Sequence, residues 1–226
     1  FLGAGAEPDL ATLVEVATGI ALVAGGAAGL NQIYERETDS LMWRTRTRPL
    51  AAQRVTTTEA MIFSLTLAVL GLALVAATSN LLAAFLALMT LISYNVVYTP
   101  MKRRHQLATL VGAVPGALPP MIGWVAARGA LTPEAWALFA IVFVWQIPHF
   151  MAIAWLYRDD FRRAGFPLLP VVDPDGRSTG VQAVLFAVVL VPVSLAPYFL
   201  RMSGGAYALG AAVGGLALLV LAVAFA

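Results

Sequence analysis

Apolar residues fill this chain in long blocks rather than at alternate positions, and short polar stretches separate the blocks. A helix needs about 20 mostly apolar residues to cross a bilayer. Seven blocks meet that length, over 10–30, 60–78, 81–98, 107–127, 133–156, 180–200 and 206–226. Residues 1–6 read as the tail of an earlier span. The pattern predicts an all-α fold, a polytopic transmembrane helix bundle forming one domain over residues 1–226. The chain opens without Met and stops inside the apolar run 214–226, so it is expected to be a fragment truncated at both ends.

The polar stretches fall into two kinds. Those after the first, third and fifth blocks are basic: Arg36, Arg44, Arg46, Arg48 and Arg54, then Lys102, Arg103 and Arg104, then Arg158, Arg162, Arg163 and Arg177. The others hold only Arg128 and Arg201. Such alternation fixes orientation through the positive-inside rule and puts the basic loops on the cytoplasmic side. Gly25-xxx-Gly29, Gly112-xxx-Gly116 and Gly210-xxx-Gly214 have helix-contact spacing, read as tight packing within one bundle. Pro115, Pro119 and Pro120 inside the fourth block predict a kinked helix beside a pocket, where freed backbone groups find partners.

Composition strengthens the membrane reading. The chain is 60% hydrophobic and 12% charged, whereas a soluble domain is roughly a quarter charged. There is no Cys, which excludes thiol catalysis, disulfides and Cys-bound metal. The isoelectric point near 9.2 does not indicate a nucleic-acid partner, because the basic residues are confined to loops.

Chemistry concentrates where the first block ends, at Asn31-Gln-Ile-Tyr-Glu35-Arg-Glu-Thr-Asp39. Asn31, Glu35 and Asp39 are spaced i, i+4, i+8, which puts three oxygen-bearing side chains on one helix face. Mg²⁺ accepts such oxygens, usually alongside substrate phosphates, and the arginines that follow would attract an anion. The plainer alternative is a solvated helix end. Asn31 lies at the membrane boundary, where polar groups are costly and often functional.

Tyr157-Arg-Asp159-Asp160-Phe-Arg-Arg163 closes the fifth block on the same predicted face and offers a second pair of carboxylates. Lys102, Arg103 and Arg104 serve as a topology signal or as a grip on a diphosphate. His149 lies inside a span, where an ionisable residue is a functional candidate, and Gln146 precedes it by three positions, so that both can face one cavity. No phosphate-cradling GxxxxGK[ST] loop, GxGxxG or HExxH is present.

Together these residues resemble a known family. Asn31 to Glu35 with Asp39, Met42-Trp-Arg44-Thr-Arg46-Thr-Arg48-Pro-Leu50, Tyr98-Thr-Pro-Met-Lys-Arg-Arg104, Gly116-Ala-Leu-Pro-Pro-Met-Ile-Gly-Trp124, Trp145-Gln-Ile-Pro-His-Phe150, Tyr157-Arg-Asp-Asp160 and Gly165-Phe-Pro-Leu-Leu-Pro-Val-Val172 cover most of 25–172. In that order they are similar to the protohaem IX farnesyltransferase (haem O synthase) branch of the UbiA-type intramembrane prenyltransferases. The resemblance implies nine spans in a whole protein. It also implies transfer of farnesyl from farnesyl diphosphate to a vinyl group of haem b, giving haem O.

As implied by the resemblance, Mg²⁺ is the cofactor, held by Asn31, Glu35, Asp39 and Asp160, with Asp159 in support. Arg44, Arg48, Lys102, Arg103 and Tyr157 would bind substrate, and His149 would face the haem. The setting implied is membrane lipid, in a bacterial inner membrane, with a haem A synthase or terminal oxidase assembly as partner. The chain departs from the superfamily pattern at two points. Glu35 stands where the first motif commonly has Asp, and the second motif, often Asp-xxx-Asp, is reduced to Asp159-Asp160. The other readings are a UbiA-type enzyme with an aromatic or chlorin acceptor, a membrane carrier, and a haem-handling assembly factor without catalysis.

Overall fold

Thr56, Asn80 and Thr132 each precede an apolar run, and each begins a helix. Thr56 does so with a full capping box: its hydroxyl takes the N–H of Glu59, and the Glu59 carboxylate takes the N–H of Thr56. That cap starts the second span at 57 rather than at the expected 60. The computed structural model describes residues 10–226, all helical in its regular elements. The span tail expected at 1–6 lies outside the described residues.

Seven helices are long and apolar enough to cross a membrane. They are α1 (Leu10–Leu41), α2 (Thr57–Thr78), α3 (Leu81–Lys102), α4 (Ala108–Arg128), α5 (Pro133–Leu156), α8 (Arg177–Phe199) and α9 (Gly205–Phe225). Two short helices, α6 (Arg158–Arg163) and α7 (Leu169–Val172), lie in the connection after α5. The chain is that of a multi-pass integral membrane protein. Each span packs on the next along the order α1, α2, α3, α4, α5, α8, α9, and α1 returns to touch α3 and α4.

α1 is longer than a span requires. Its 32 residues rise about 48 Å in all, against a hydrocarbon core of about 30 Å. The end bearing Asn31 to Asp39 therefore projects, as an unbroken continuation of the apolar helix rather than as a loop.

Water supplies no hydrophobic drive between helices in lipid, so α1 and α2 associate by close backbone packing. Ser64, Ala68, Gly71 and Val75 form the buried face of α2. Opposite them lie Gly19, Gly26 and Gly29. A Cβ at Gly71 would sit 2.6 Å from the Gly19 carbonyl oxygen and 2.8 Å from the Val23 nitrogen. Gly71→Ala is therefore expected to destabilise the protein by about 1–3 kcal/mol, the usual range for overpacking, read as a lower unfolding midpoint in detergent. Gly210→Ala, with nothing within 4 Å of its Cβ, is the neutral control.

The other glycine pairs behave differently from one another. Gly112 and Gly116 make room for the side chains of Tyr98 and Gln146. A Cβ at Gly210 or Gly214 would meet nothing within 4 Å, so among the described residues no helix packs closely on that pair. Spacing identifies a smooth helix stripe and cannot say whether another helix lies against it. α4 keeps its three prolines inside one helix, and Gln146 Nε2 donates to the Ala113 carbonyl at 2.8 Å, tying α5 to it.

The basic connections are folded, not free. Met42, Ala154, Phe161, Ala164, Phe166 and Leu168 form a buried cluster that pins the loop after α1 to the segment after α5.

Candidate functional site

Asn31, Glu35 and Asp39 share one face of α1 and are all buried, with Glu35 and Asp39 only 1% exposed. A buried ion carries a desolvation penalty of several kcal/mol unless counter-charge and hydrogen bonds offset it. Each carboxylate has its own cation. Lys102 Nζ lies 3.0 Å from Glu35 Oε1 and 3.1 Å from Oε2, donating to the latter. Arg48 Nη1 lies 2.9 Å from Asp39 Oδ2 and 3.1 Å from Oδ1. Asn31 Nδ2 donates to Thr99 Oγ1 at 3.1 Å. Glu35 Oε1 is buried and accepts no hydrogen bond.

Local structure explains how these cations arrive from afar. Lys102 ends α3, and its ammonium rests over the rings of Phe166 and Tyr98, 5.0 Å and 5.8 Å from their centroids. Arg48 is brought back by consecutive turns after α1. Met42 O accepts the N–H groups of Thr45 and Arg46, and Thr45 O accepts that of Arg48. The buried Thr45 hydroxyl closes the coil by donating to the Asp39 carbonyl at 3.0 Å.

Asp160 stands elsewhere in this network. Its Oδ1 accepts the N–H of Trp43 and its Oδ2 that of Arg44, each at 3.1 Å, and Arg163 also bonds Oδ1. Expected from the sequence as a metal oxygen, it also uses both oxygens to tie down the backbone of the loop that carries Arg44 and Arg48. Burial works against its ionisation. The Arg44 N–H, the Arg163 guanidinium and the Trp43 N–H outweigh burial and hold the carboxyl below its usual 3.8. The clamp is thus complete above the usual carboxylate value and is lost only as pH falls through the lower folded value.

A hydrogen bond to a charged acceptor contributes about 1.5–3 kcal/mol. Asp160→Ala is therefore expected to speed hydrogen exchange at residues 42–46 by about tenfold or more, with Asp160→Asn intermediate. Unchanged exchange in both would show that the loop holds without it.

The remaining expected residues divide. Arg44 stacks its guanidinium 5.4 Å from the Tyr157 ring centroid, beside the Asp160 clamp. Asp159 is exposed and pairs with Arg162 at 2.6 Å. Arg103 is exposed at the end of α3. His149 stacks on Trp145 at 5.1 Å and lines a cavity of about 440 Å³ enclosed by α1, α3, α4 and α5. Gln146 lines it too, as do Pro115 and Pro119.

Ala24, Ala27 and Ala28 of α1 form one wall of this cavity. Ala27 and Ala24 lie four and seven residues before Asn31, on the same helix face. Tyr94 and Tyr98 form another wall, and Tyr98 also carries Lys102. The acidic face thus begins one helix turn beyond the cavity wall along α1, and Tyr98 touches both. The cavity volume lies within the range of about 300–1,000 Å³ typical of small-molecule sites.

The donor set fits Mg²⁺. It offers carboxylate and amide oxygens, among them the buried Glu35 Oε1, which is held by its ion pair to Lys102 at 3.0 Å. Among the described residues no three His, Asp or Glu side chains converge into a cage. Mg²⁺ keeps few protein ligands and shares substrate phosphates. Sequence reading missed Thr99, Tyr94 and Thr109 at this site, because no spacing rule marks them.

The whole chain, residues 1–226, matches the model of the UbiA prenyltransferase family. It is 50% identical over 208 residues to a protoheme IX farnesyltransferase of Solibacter usitatus, covering 92% of this chain and 71% of that one. It is 48% identical to one of Koribacter versatilis, covering 89% and 65%. The chain thus spans about two thirds of the length of these relatives.

Among solved structures, the apo form of a UbiA homolog from Aeropyrum pernix K1 shares the fold, with a TM-score of 0.81 at 22% identity over 98% of this chain and 82% of that one. A UbiA homolog from Archaeoglobus fulgidus bound to GPP and Mg²⁺ superposes with a TM-score of 0.69 at 18% identity, over 98% and 76%. In sequence along its whole length and in its arrangement of helices, the chain belongs to the UbiA prenyltransferase family.

Proposed function

We propose that this chain transfers the farnesyl group of farnesyl diphosphate to a vinyl group of haem b, yielding haem O. The observation that carries the reading is a buried, charge-balanced face set on top of an apolar cavity: Glu35 with Lys102 and Asp39 with Arg48, continuing into the walls formed by Ala27, Tyr94 and Tyr98. A diphosphate joined to an isoprenoid needs both halves, in that order. Relatives at 40–50% identity named protoheme IX farnesyltransferase support the choice of haem as acceptor.

The oxygens of Asn31, Glu35 and Asp39 are assigned to the metal. Mg²⁺, when bound, neutralises the diphosphate and makes it a better leaving group. Lys102 and Arg48 stand ready beside the same carboxylates to meet the negative charge that grows as the allylic C–O bond breaks. The aromatic faces of Tyr94 and Tyr98 line the cavity where the positive carbon develops, and a ring face attracts a cation. The apolar walls keep water from capturing that carbon early.

A bond forms between C1 of the farnesyl chain and the outer vinyl carbon of haem b. The C1–O bond breaks as this bond forms, diphosphate leaving with its electron pair; the cation then left on the inner vinyl carbon takes up a water oxygen, and that water releases a proton. Asp160 is assigned to hold the loop bearing Arg44 and Arg48, because both its oxygens accept from that backbone. Asp159 is left outside the site, paired at the surface with Arg162. His149, on the cavity wall, is assigned to the haem side. The basic loops are placed on the cytoplasmic face by the charge bias of the sequence, and bacterial relatives point to the inner membrane.

The test is an assay of the purified protein with haem b, farnesyl diphosphate and MgCl₂. The expected result is one diphosphate released per haem b converted to a hydroxyethylfarnesyl haem, identified by mass. Diphosphate release with haem b unconsumed would overturn the choice of acceptor.

A further inference from the structure

α3 changes its hydrogen-bond step just below the acidic face. Residues Ser93–Tyr98 wind as a π-helix, a form seen mostly as single-turn insertions and frequently at functional sites. The wider turn brings Thr99 back over Tyr94. The Thr99 backbone N–H donates to the Tyr94 carbonyl, and the Thr99 hydroxyl donates to the same carbonyl at 2.8 Å. Thr99 is fully buried.

A hydroxyl has one hydrogen to give. With that hydrogen committed to Tyr94, Thr99 Oγ1 can only accept. The group facing it at 3.1 Å is therefore the NH₂ end of the Asn31 amide. The two ends of an amide are distinguished by their hydrogen-bond network, and here the network has one solution. It leaves Asn31 Oδ1 as the free end, and an amide nitrogen, which only donates, cannot serve a cation.

We propose that Thr99 is a positioning residue for metal–diphosphate binding: the π-turn at 93–98 aims its hydroxyl so that Asn31 presents oxygen, not nitrogen, to Mg²⁺. The proposal rests on the reading above, in which this face of α1 binds the metal and the diphosphate. It adds a role for a residue outside the acidic motifs.

The test measures Mg²⁺-dependent binding of a non-hydrolysable farnesyl diphosphate analogue to the purified full chain by titration calorimetry, with no haem present. Thr99→Val keeps the shape and the backbone bond to Tyr94 and removes the hydroxyl. The Mg²⁺ concentration for half-maximal binding is expected to rise about tenfold, the lower end for lost outer-shell partners. In turnover assays kcat at saturating Mg²⁺ stays within about twofold of the parent on the same scale, and Thr99→Ser restores the Mg²⁺ dependence. Should Thr99→Val fail to fold, Thr99→Ala carries the same expectation.

In an Asn31→Asp background, where both ends of the side chain are oxygen, adding Thr99→Val is expected to produce no further rise, since coupling between touching residues appears as non-additivity. An unchanged Mg²⁺ dependence in Thr99→Val, failure of Ser to restore it, or the same rise on top of Asn31→Asp would each overturn the proposal. Absence of Mg²⁺-dependent binding by the unsubstituted protein would overturn the underlying reading and this proposal with it.

Discussion

Asp39→Asn is expected to lower Mg²⁺-dependent farnesyl transfer by on the order of 10²–10³-fold, the range for removing one preorganised electrostatic contact at a reacting centre, while the protein still inserts and folds. The substitution keeps shape, volume and one carbonyl oxygen, so packing around the helix end survives. What it removes is the charge. Asp39 is 1% exposed and is the sole ion-pair partner given to Arg48 among the described residues. An amide at 39 therefore weakens the metal's oxygen set and leaves a guanidinium unbalanced in the same step. Insertion is spared because the residue lies on the projecting end of α1.

The control is Glu37→Gln, two residues away on another face, with a side chain 77% exposed. Its charge is screened by solvent, and it is expected to leave transfer unchanged. The measurement is product formation against Mg²⁺ concentration, beside thermal unfolding of both variants in detergent. Full transfer by Asp39→Asn would remove the metal assignment from this face of α1.

The local part of this site is legible in the chain. The spacing of Asn31, Glu35 and Asp39 places them on one face because a helix repeats every 3.6 residues, and the structure shows that face buried as a unit. The spans follow equally directly from the length of apolar runs. The pairings across the fold are a different matter. Lys102 meets Glu35 across 67 residues, and Asp160 meets Trp43 across 117. No periodicity links such positions; only the packing of α3 against α1, and of α6 against the loop after α1, brings them together.

Asp160 shows the hazard most clearly. A carboxylate near a cluster of arginines reads as a ligand, and no spacing reveals that two backbone N–H groups also bond its oxygens. The π-turn that aims Thr99 is silent in the sequence as well, since it is a change of hydrogen-bond step within a run that reads as helix. What spacing reveals is which side chains share a face. Which hydrogen bond each one then makes depends on neighbours that arrive from elsewhere in the chain.

The second large effect falls on stability. Lys102→Met is expected to destabilise the metal-free protein by about 3–5 kcal/mol, the range for breaking a buried ion pair from one side. Met preserves most of the stem that packs on Tyr98 and Phe166, so the loss isolates the charge. Glu35 would then be a carboxylate at 1% exposure with no counter-ion. Replacing both partners, as Lys102→Met with Glu35→Gln, is expected to recover much of the loss, because the stranded charge is gone.

The same logic fixes the response to metal. With Lys102 present, a divalent cation at Glu35 must compete with the ammonium. Without Lys102 it supplies the missing charge. MgCl₂ is thus expected to raise the unfolding midpoint of Lys102→Met more than that of the unsubstituted protein, and EDTA to abolish the difference. The double variant is expected to show no such gain. A Lys102→Met protein as stable as its parent in EDTA would mean that the Lys102–Glu35 pair does not hold the fold, and the charge-balanced face would lose one of its two pairs.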